Sequence, residues 1–262
     1  PSLGMVFGDA VSIDTQGRPT NLQTFGAWGL KDLLGFRIIC QPAIFMRRAV
    51  FKKTGGLDPA YHFMLDHHLW LRMGQLAPMR YIASPALAAA RYHASAKTVA
   101  QASAFSSETL RLMEWIQSQP GLADNAQSRS IQGGAYRLAA RYQLDGGQSQ
   151  AALRAYFKAL RFSPRYTLQH WHRMLYATAS LLGGKTLLDR ARARSSSQRS
   201  QELPSQLRLF FPGQFTRQGI RQRGLANASH ALQGCQPGLR RSLQNATDLG
   251  QFVCHAEQLG LG

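Results

Sequence analysis

In the first hundred residues short apolar runs alternate with glycine, proline and aspartate turns, which confines the region to short strands and short helices. Val6-Phe7 stops at Gly8-Asp9, and Gly17-Arg18-Pro19 reads as a turn. Ile38-Ile39-Cys40 reads as a short buried strand ending before Pro42. Residues 43–51 read as a strand or turn running into a helix, and residues 54–59 as a loop. From 62 to 73, Met64, Leu65, Leu69 and Met73 fall on one helical face with Trp70 beside it. Residues 80–83 and 87–92 are further strand candidates. Strands and helices mixed at this length predict part of an α/β domain.

From about 105 to 190 the period lengthens to that of a helix. Ser107 is placed to cap a run through Leu110, Met113 and Ile116. Residues 136–144 and 151–162 form a helical pair around Asp145-Gly146-Gly147. It resembles one tetratricopeptide unit, although a solenoid needs about three. Residues 167–182 read as one amphipathic helix carrying Trp171, Leu175 and Tyr176. Beyond residue 190 the text is rich in Arg, Gln, Ser and Gly, with Glu202, Asp248 and Glu257 as its acids. It reads as a poorly ordered basic tail, or as sequence out of its natural frame. The expected organisation is therefore 1–100, 101–190 and 191–262.

Charge narrows the partners. Lys and Arg number 31 against 13 Asp and Glu, a formal +18, so anionic partners are favoured: nucleotide phosphates, nucleic acid or an acidic membrane face. No zinc-finger, RRM or KH signature accompanies it, and no specific nucleic acid is expected. No apolar run approaches the ~18 residues of a membrane span. Cys40, Cys235 and Cys254 are odd in number and form no CxxC pair. That argues against a disulfide framework or a thiolate zinc site, and for a reducing, cytoplasmic setting.

Four segments stand in a telling order. They are Cys40-Gln41-Pro42-Ala43-Ile44-Phe45-Met46-Arg47-Arg48, Gly55-Gly56-Leu57-Asp58, Leu65-Asp66-His67-His68-Leu69-Trp70-Leu71-Arg72, and Arg91-Tyr92-His93-Ala94-Ser95-Ala96-Lys97-Thr98. Together they resemble the second half of bacterial family 2 glycosyltransferases of the GT-A fold. Val6-Phe7-Gly8-Asp9-Ala10, Ile13-Asp14 and Gly17-Arg18-Pro19 resemble the strand and hairpin preceding that block. The resemblance covers about residues 3–98. It implies an α/β, partial GT-A-type sheet lacking its nucleotide-binding half, followed by the helical extension and the tail. It also implies an inverting hexosyltransferase that uses a nucleotide-diphospho-sugar and a glycan or lipid-linked acceptor in cell-surface polysaccharide synthesis.

Such a transfer needs a base for the acceptor hydroxyl and positive charge for the leaving diphosphate. The resemblance assigns the base to Asp66, at the start of a helix whose dipole is expected to keep it ionised. It assigns His93 to a divalent metal (Mn²⁺ or Mg²⁺), and Arg91 and Lys97 to the diphosphate. Gly55, Gly56, Gln41 and Pro42 are assigned to the sugar and acceptor pocket. Plainer readings stand beside these: a helix cap for Asp66, a surface histidine for His93, a turn for the glycines, core packing for Trp70 and a carbonyl partner for Arg72. In place of the second acid common in the family stands His68. The nucleobase-binding half and the Asp-x-Asp metal motif are missing, and Asp9 and Asp14 read as turn residues. The expectation is a fragment inactive alone, with the main metal ligands supplied elsewhere.

Two other classes remain open. One is a metal-dependent hydrolase using His62, Asp66, His67, His68 and His93, a set without HExxH spacing. The other is a non-enzymatic basic helical module that binds polyanions or nucleic acid. The 167–182 helix with its following arginines would suit peripheral contact with an anionic membrane at the inner cytoplasmic face.

Overall fold

The computed structural model describes residues 3–83, 86–93, 97–122, 125–184, 186, 189–190 and 252–253. The expectations for the basic tail fall outside the described residues, apart from Phe252–Val253.

Two small mixed sheets meet at Asp9. Strands β1 (Met5–Gly8) and β2 (Ala10–Ile13) are separated by that single residue. β3 (Pro19–Gln23) returns antiparallel to β2 after a turn in which Asp14 accepts from the backbone N–H of Gln16 and Arg18 and pairs with the Arg18 guanidinium at 2.7 Å. β4 (Ile44–Arg47) lies antiparallel to β1. β5 (Met79–Ile82) runs parallel to β1, and β6 (Ala88–Arg91) runs parallel to β2. β7 (Phe252–Val253) pairs with β4, so the sheet orders are β5-β1-β4-β7 and β3-β2-β6. One carboxylate oxygen of Asp9 accepts from the Phe25 N–H at 2.9 Å and the Tyr81 hydroxyl at 2.8 Å, while its carbonyl accepts from Leu87 N–H at 2.7 Å. Asp9 is thus the structural joint its turn reading implies. Gly8 leaves no room for a side chain there, because a Cβ would sit 2.6 Å from the Leu87 side chain.

The helices are α1 (Leu30–Leu34), α2 (Arg48–Lys53), α3 (Leu65–Leu76), α4 (Lys97–Ala100), α5 (Ala102–Ser118), α6 (Asn125–Asp145), α7 (Ser149–Phe162), α8 (Pro164–Leu168) and α9 (Trp171–Leu181). One core joins sheet and helices. Met5 and Phe7 of β1, Leu33 of α1, Leu69, Trp70, Leu71 and Met73 of α3, Leu112 and Ile116 of α5, and Leu138 of α6 are all buried in it. Each such side chain contributes roughly 1.5–3 kcal/mol. The position near residue 100 where the sequence changes texture therefore falls within a single core.

Three local readings are corrected. Ile39 and Cys40 are buried and Ile38 half-buried, but among the described residues none of them pairs with a strand, and Gln41–Ala43 forms a 3-10 turn because Pro42 has no N–H for a ladder. Ser107 lies inside α5, its hydroxyl on the Ala104 carbonyl, and the helix starts five residues earlier. The single helix expected over 167–182 is broken into α8 and α9 around Gln169 and His170.

α6 docks on the sheet region through glycine. A Cβ on Gly134 would lie 2.0 Å from the Gly35 carbonyl oxygen, and one on Gly133 would lie 2.4 Å from the Ser163 Cβ. One turn on, Arg137 donates to the Phe36 carbonyl at 2.9 Å. Phe36 holds a left-handed φ of 57° and a fully buried ring, so packing offsets a conformation that costs a bulky residue energy. Gly134→Ala is expected to lose at least about 3 kcal/mol, the upper range for overpacking, since a backbone oxygen rather than a side chain must yield. A urea midpoint lowered accordingly, with Gly17→Ala costing far less, checks this.

Candidate functional site

α3 begins without a side-chain cap of its own: Met64 stands at the N-cap. The cap comes from α5. The Glu108 carboxylate accepts from the backbone N–H of His62 at 2.9 Å, Phe63 at 2.7 Å and Met64 at 2.9 Å. Arg111, one turn along, lies 3.4 Å from Glu108, donates to the Ala60 carbonyl and covers the Tyr61 ring at 4.5 Å. Burial pushes the Glu108 carboxyl up, but the three backbone donors outweigh it and leave it below the ordinary carboxylate range. The loop 60–64 is thereby fixed, and with it the helix start that carries Asp66.

Asp66 accepts from the His67 N–H at 2.7 Å. Burial pushes its carboxyl up to about 6, against the downward pull of the His67 and Asp66 N–H groups. The helix-start argument for a readily ionised acid is thus corrected in sign, because desolvation exceeds the first-turn donors. Its surroundings follow from the groups that feel its charge. The Cys40 thiol is raised to about 11, chiefly by burial and further by Asp66. The Tyr142 phenol is raised to about 12, again chiefly by burial, with Asp66 and Tyr92 adding to it. Cys40 and Tyr142 of α6 are thus within electrostatic reach of Asp66. Gln41 and Pro42 follow Cys40 directly and are exposed.

The remaining expected site residues are more scattered. Gly55 and Gly56 take φ of +78° and +79° in the turn after α2, where Arg72 donates to the Thr54 and Gly56 carbonyls at 2.8 and 2.7 Å. Arg72 lies six residues past Asp66, about 9 Å along α3 at 1.5 Å per residue, so the glycine turn sits toward the helix's other end. Arg91 donates to the Asp14 and Thr15 carbonyls at 2.7 and 2.9 Å and ties β6 to the hairpin. Lys97 reaches the His62 carbonyl at 3.5 Å, beside the loop that Glu108 holds. His93 is exposed just past β6. Trp70 is buried in the core.

The described histidines do not assemble a metal centre. His67 donates to the Leu33 carbonyl at 2.8 Å and stacks on Phe36, while His68 is wedged between Tyr61 and Trp115, with both ring centroids 4.4 Å away. Burial lowers both imidazoles to about 4, so both are neutral at pH 7. His62 precedes α3 and shares no helix face with Asp66. Among the described residues no three His, Cys, Asp or Glu side chains gather as a metal-holding group. His93 would need further donors to hold a divalent ion, and the described residues do not fit one by themselves.

No protein-family model, curated protein or solved structure matches the chain. Two residues of the site escape a reading by motif, Glu108 and Tyr142. Glu108 carries a usable signal: an acid in a strongly basic chain, three residues from Phe105 and four from Leu112, on the apolar face of its own helix. Tyr142 carries none.

The Asp66 shift sets a stability test. Its folded value lies above the unfolded one, so the charged carboxylate opposes folding above pH 6 and has no effect below about pH 4. Asp66→Asn is expected to stabilise the protein by about 1–3 kcal/mol at pH 8 and to leave stability nearly unchanged at pH 3.5. Denaturant titrations at the two pH values read this directly.

Proposed function

We propose that residues 3–98 form the acceptor side of a GT-A-type, family 2-like glycosyltransferase that transfers a hexose with inversion from a nucleotide-diphospho-sugar to a glycan or lipid-linked acceptor. The observation that supports it best is Asp66: a carboxylate at about 6, fixed at a helix start by a clamp from another helix. A base raised toward working pH is mostly ionised at pH 7 and binds a proton more strongly than an exposed aspartate. The acceptor hydroxyl would give its proton to Asp66 as its oxygen attacks the anomeric carbon from the face opposite the leaving diphosphate.

Cys40 feels the charge of Asp66, and the exposed Gln41 that follows it would hydrogen-bond a sugar hydroxyl. Arg91 and Lys97 are committed to backbone carbonyls, so in this reading they hold the walls and offer the diphosphate only long-range positive charge. In this reading the nucleotide-binding wall and the carboxylates for a divalent ion would be supplied from outside residues 3–98. Asp66→Asn is expected to lower transfer from uridine or guanosine diphosphate sugars by about 10²–10⁴-fold, with nucleotide affinity unchanged. Unaltered turnover would remove the base.

A peripheral membrane site at the inner cytoplasmic face belongs to the same proposal. No described helix is long and apolar enough to cross a membrane. However, Leu168, Trp171, Leu175 and Leu182 are more than half exposed, and the spacing of the last three places them along one side of α9 and its C-cap. Arg165 precedes that stripe, and Arg190, Arg192 and Arg194 follow it in sequence. Apolar area and positive charge together suit an anionic bilayer surface. Vesicles with one third phosphatidylglycerol are expected to blue-shift Trp171 emission, measured with the other three tryptophans as background. Trp171→Ser/Leu175→Ser should sediment with them at least tenfold less well.

A further inference from the structure

A second cluster of chemistry lies away from Asp66, where α6 faces α7, α8 and α9. Arg137 is 6% exposed. Its Nη2 donates to the Phe36 carbonyl, and its guanidinium covers the Tyr166 ring at 4.7 Å, yet its buried Nε has no hydrogen-bond partner. Tyr156 of α7 is fully buried, and its hydroxyl also lacks a partner. Arg141 follows Arg137 by one turn. Its Nε makes no hydrogen bond and reaches only an ion-pair distance of 3.5 Å from Asp145. That carboxylate is shared with Arg173 of α9, at 3.1 Å. Two guanidinium groups thus share one carboxylate, and the third, Arg137, stands one helical turn from Arg141.

The groups act on one another. The His170 imidazole, at the head of α9, is lowered to about 4, first by burial and then by Arg137, Arg173, His172 and Arg141. It adds no charge at pH 7. The arginines and Asp145 also perturb Tyr156, whose phenol burial raises. Like charges drawn together under partial burial repel, and a buried N–H or O–H without a partner is costly. A neutral solution was open to the fold, since Arg137's single carbonyl bond needs no such neighbours. Two of the arginines reach solvent: the Arg141 side chain is 43% exposed and that of Arg173 is 21% exposed.

We propose that this cluster is a binding site for a phosphate-type oxyanion, held by Arg137, Arg141 and Arg173 with a hydrogen bond from the Tyr156 hydroxyl. Guanidinium forks match phosphate oxygens in pairs. A tetrahedral anion supplies acceptors for the unpartnered Nε and hydroxyl groups and balances the excess charge. Asp145 keeps two of the arginines in place and disfavours a third charge on the ligand's outer side. The shared chemistry is a phosphate group, from a soluble phosphate ester or from a lipid headgroup.

Isothermal titration of the full chain in 150 mM NaCl, with inorganic pyrophosphate and with dihexanoyl phosphatidic acid, tests the proposal. At least one is expected to bind with submillimolar affinity and to raise the melting temperature by several degrees. Arg141→Gln/Arg173→Gln should weaken that binding at least tenfold, and Tyr156→Phe about threefold. Arg154→Gln/Arg161→Gln removes equal charge from exposed positions on α7 and should leave it intact. Pyrophosphate binding tenfold tighter than the phosphatidate assigns a soluble ligand, and the reverse order assigns a headgroup. If neither ligand binds, or if both double variants lose binding equally, the site is refuted. Because Asp66 takes no part, Asp66→Asn should bind as the parent does.

Discussion

The close approach of α6 to the loop after α1 organises the molecule. Two backbones come within contact distance because Gly134 carries no side chain against the Gly35 carbonyl. From that anchor α6 runs past Phe36, where Arg137 takes up the carbonyl, and on to Tyr142, which feels the charge of Asp66. The same helix packs against α7. Both the Tyr142 phenol and the arginine cluster therefore follow from one helix position. The approach also seals the core, since Ile131, Ala135 and Leu138 enter it from α6 alongside the strands and α3.

At the candidate site, stability and chemistry oppose each other. Three backbone donors to Glu108 supply the order. Asp66 then uses that order to hold a carboxylate where burial disfavours its charge. A fold selected only for stability would place a neutral residue at this position. His67 and His68 pull the pH dependence the other way: their folded values lie below the ordinary imidazole value. The stability they confer is complete above about pH 6.5 and fades as the pH falls toward 4. The helix start is consequently most secure near neutrality, where Asp66 is mostly ionised.

Much of the local structure was legible in the residues. The turn at Gly17, the strand-to-helix passage over Ile44–Lys53, the helix around Trp70 and the hairpin between α6 and α7 follow from periodicity and from glycine and proline positions. Where reading by pattern failed, a tertiary partner or a missing donor decided. Residues 38–40 are apolar enough for a strand but find no strand to pair with among the described residues. Ser107 has the chemistry of a cap, yet α5 begins earlier because Ala102 and Phe105 are drawn into the core. Of the expected site residues, Gln41 and Pro42 are exposed beside a cysteine that feels the charge of Asp66, whereas Arg91, Arg72 and the glycines serve backbone carbonyls and a turn.

The order of residues determined on its own which segments could be strands or helices, where the chain must turn, and that anions are its natural partners, because these depend on neighbours a few positions away and on summed charge. Only the tertiary structure decided that a glutamate forty-odd residues downstream caps the helix of Asp66, that burial outweighs the first-turn donors at that carboxylate, and that arginines from two helices share one aspartate. Those effects depend on distance through space and on exclusion of water, and neither quantity is written in linear spacing.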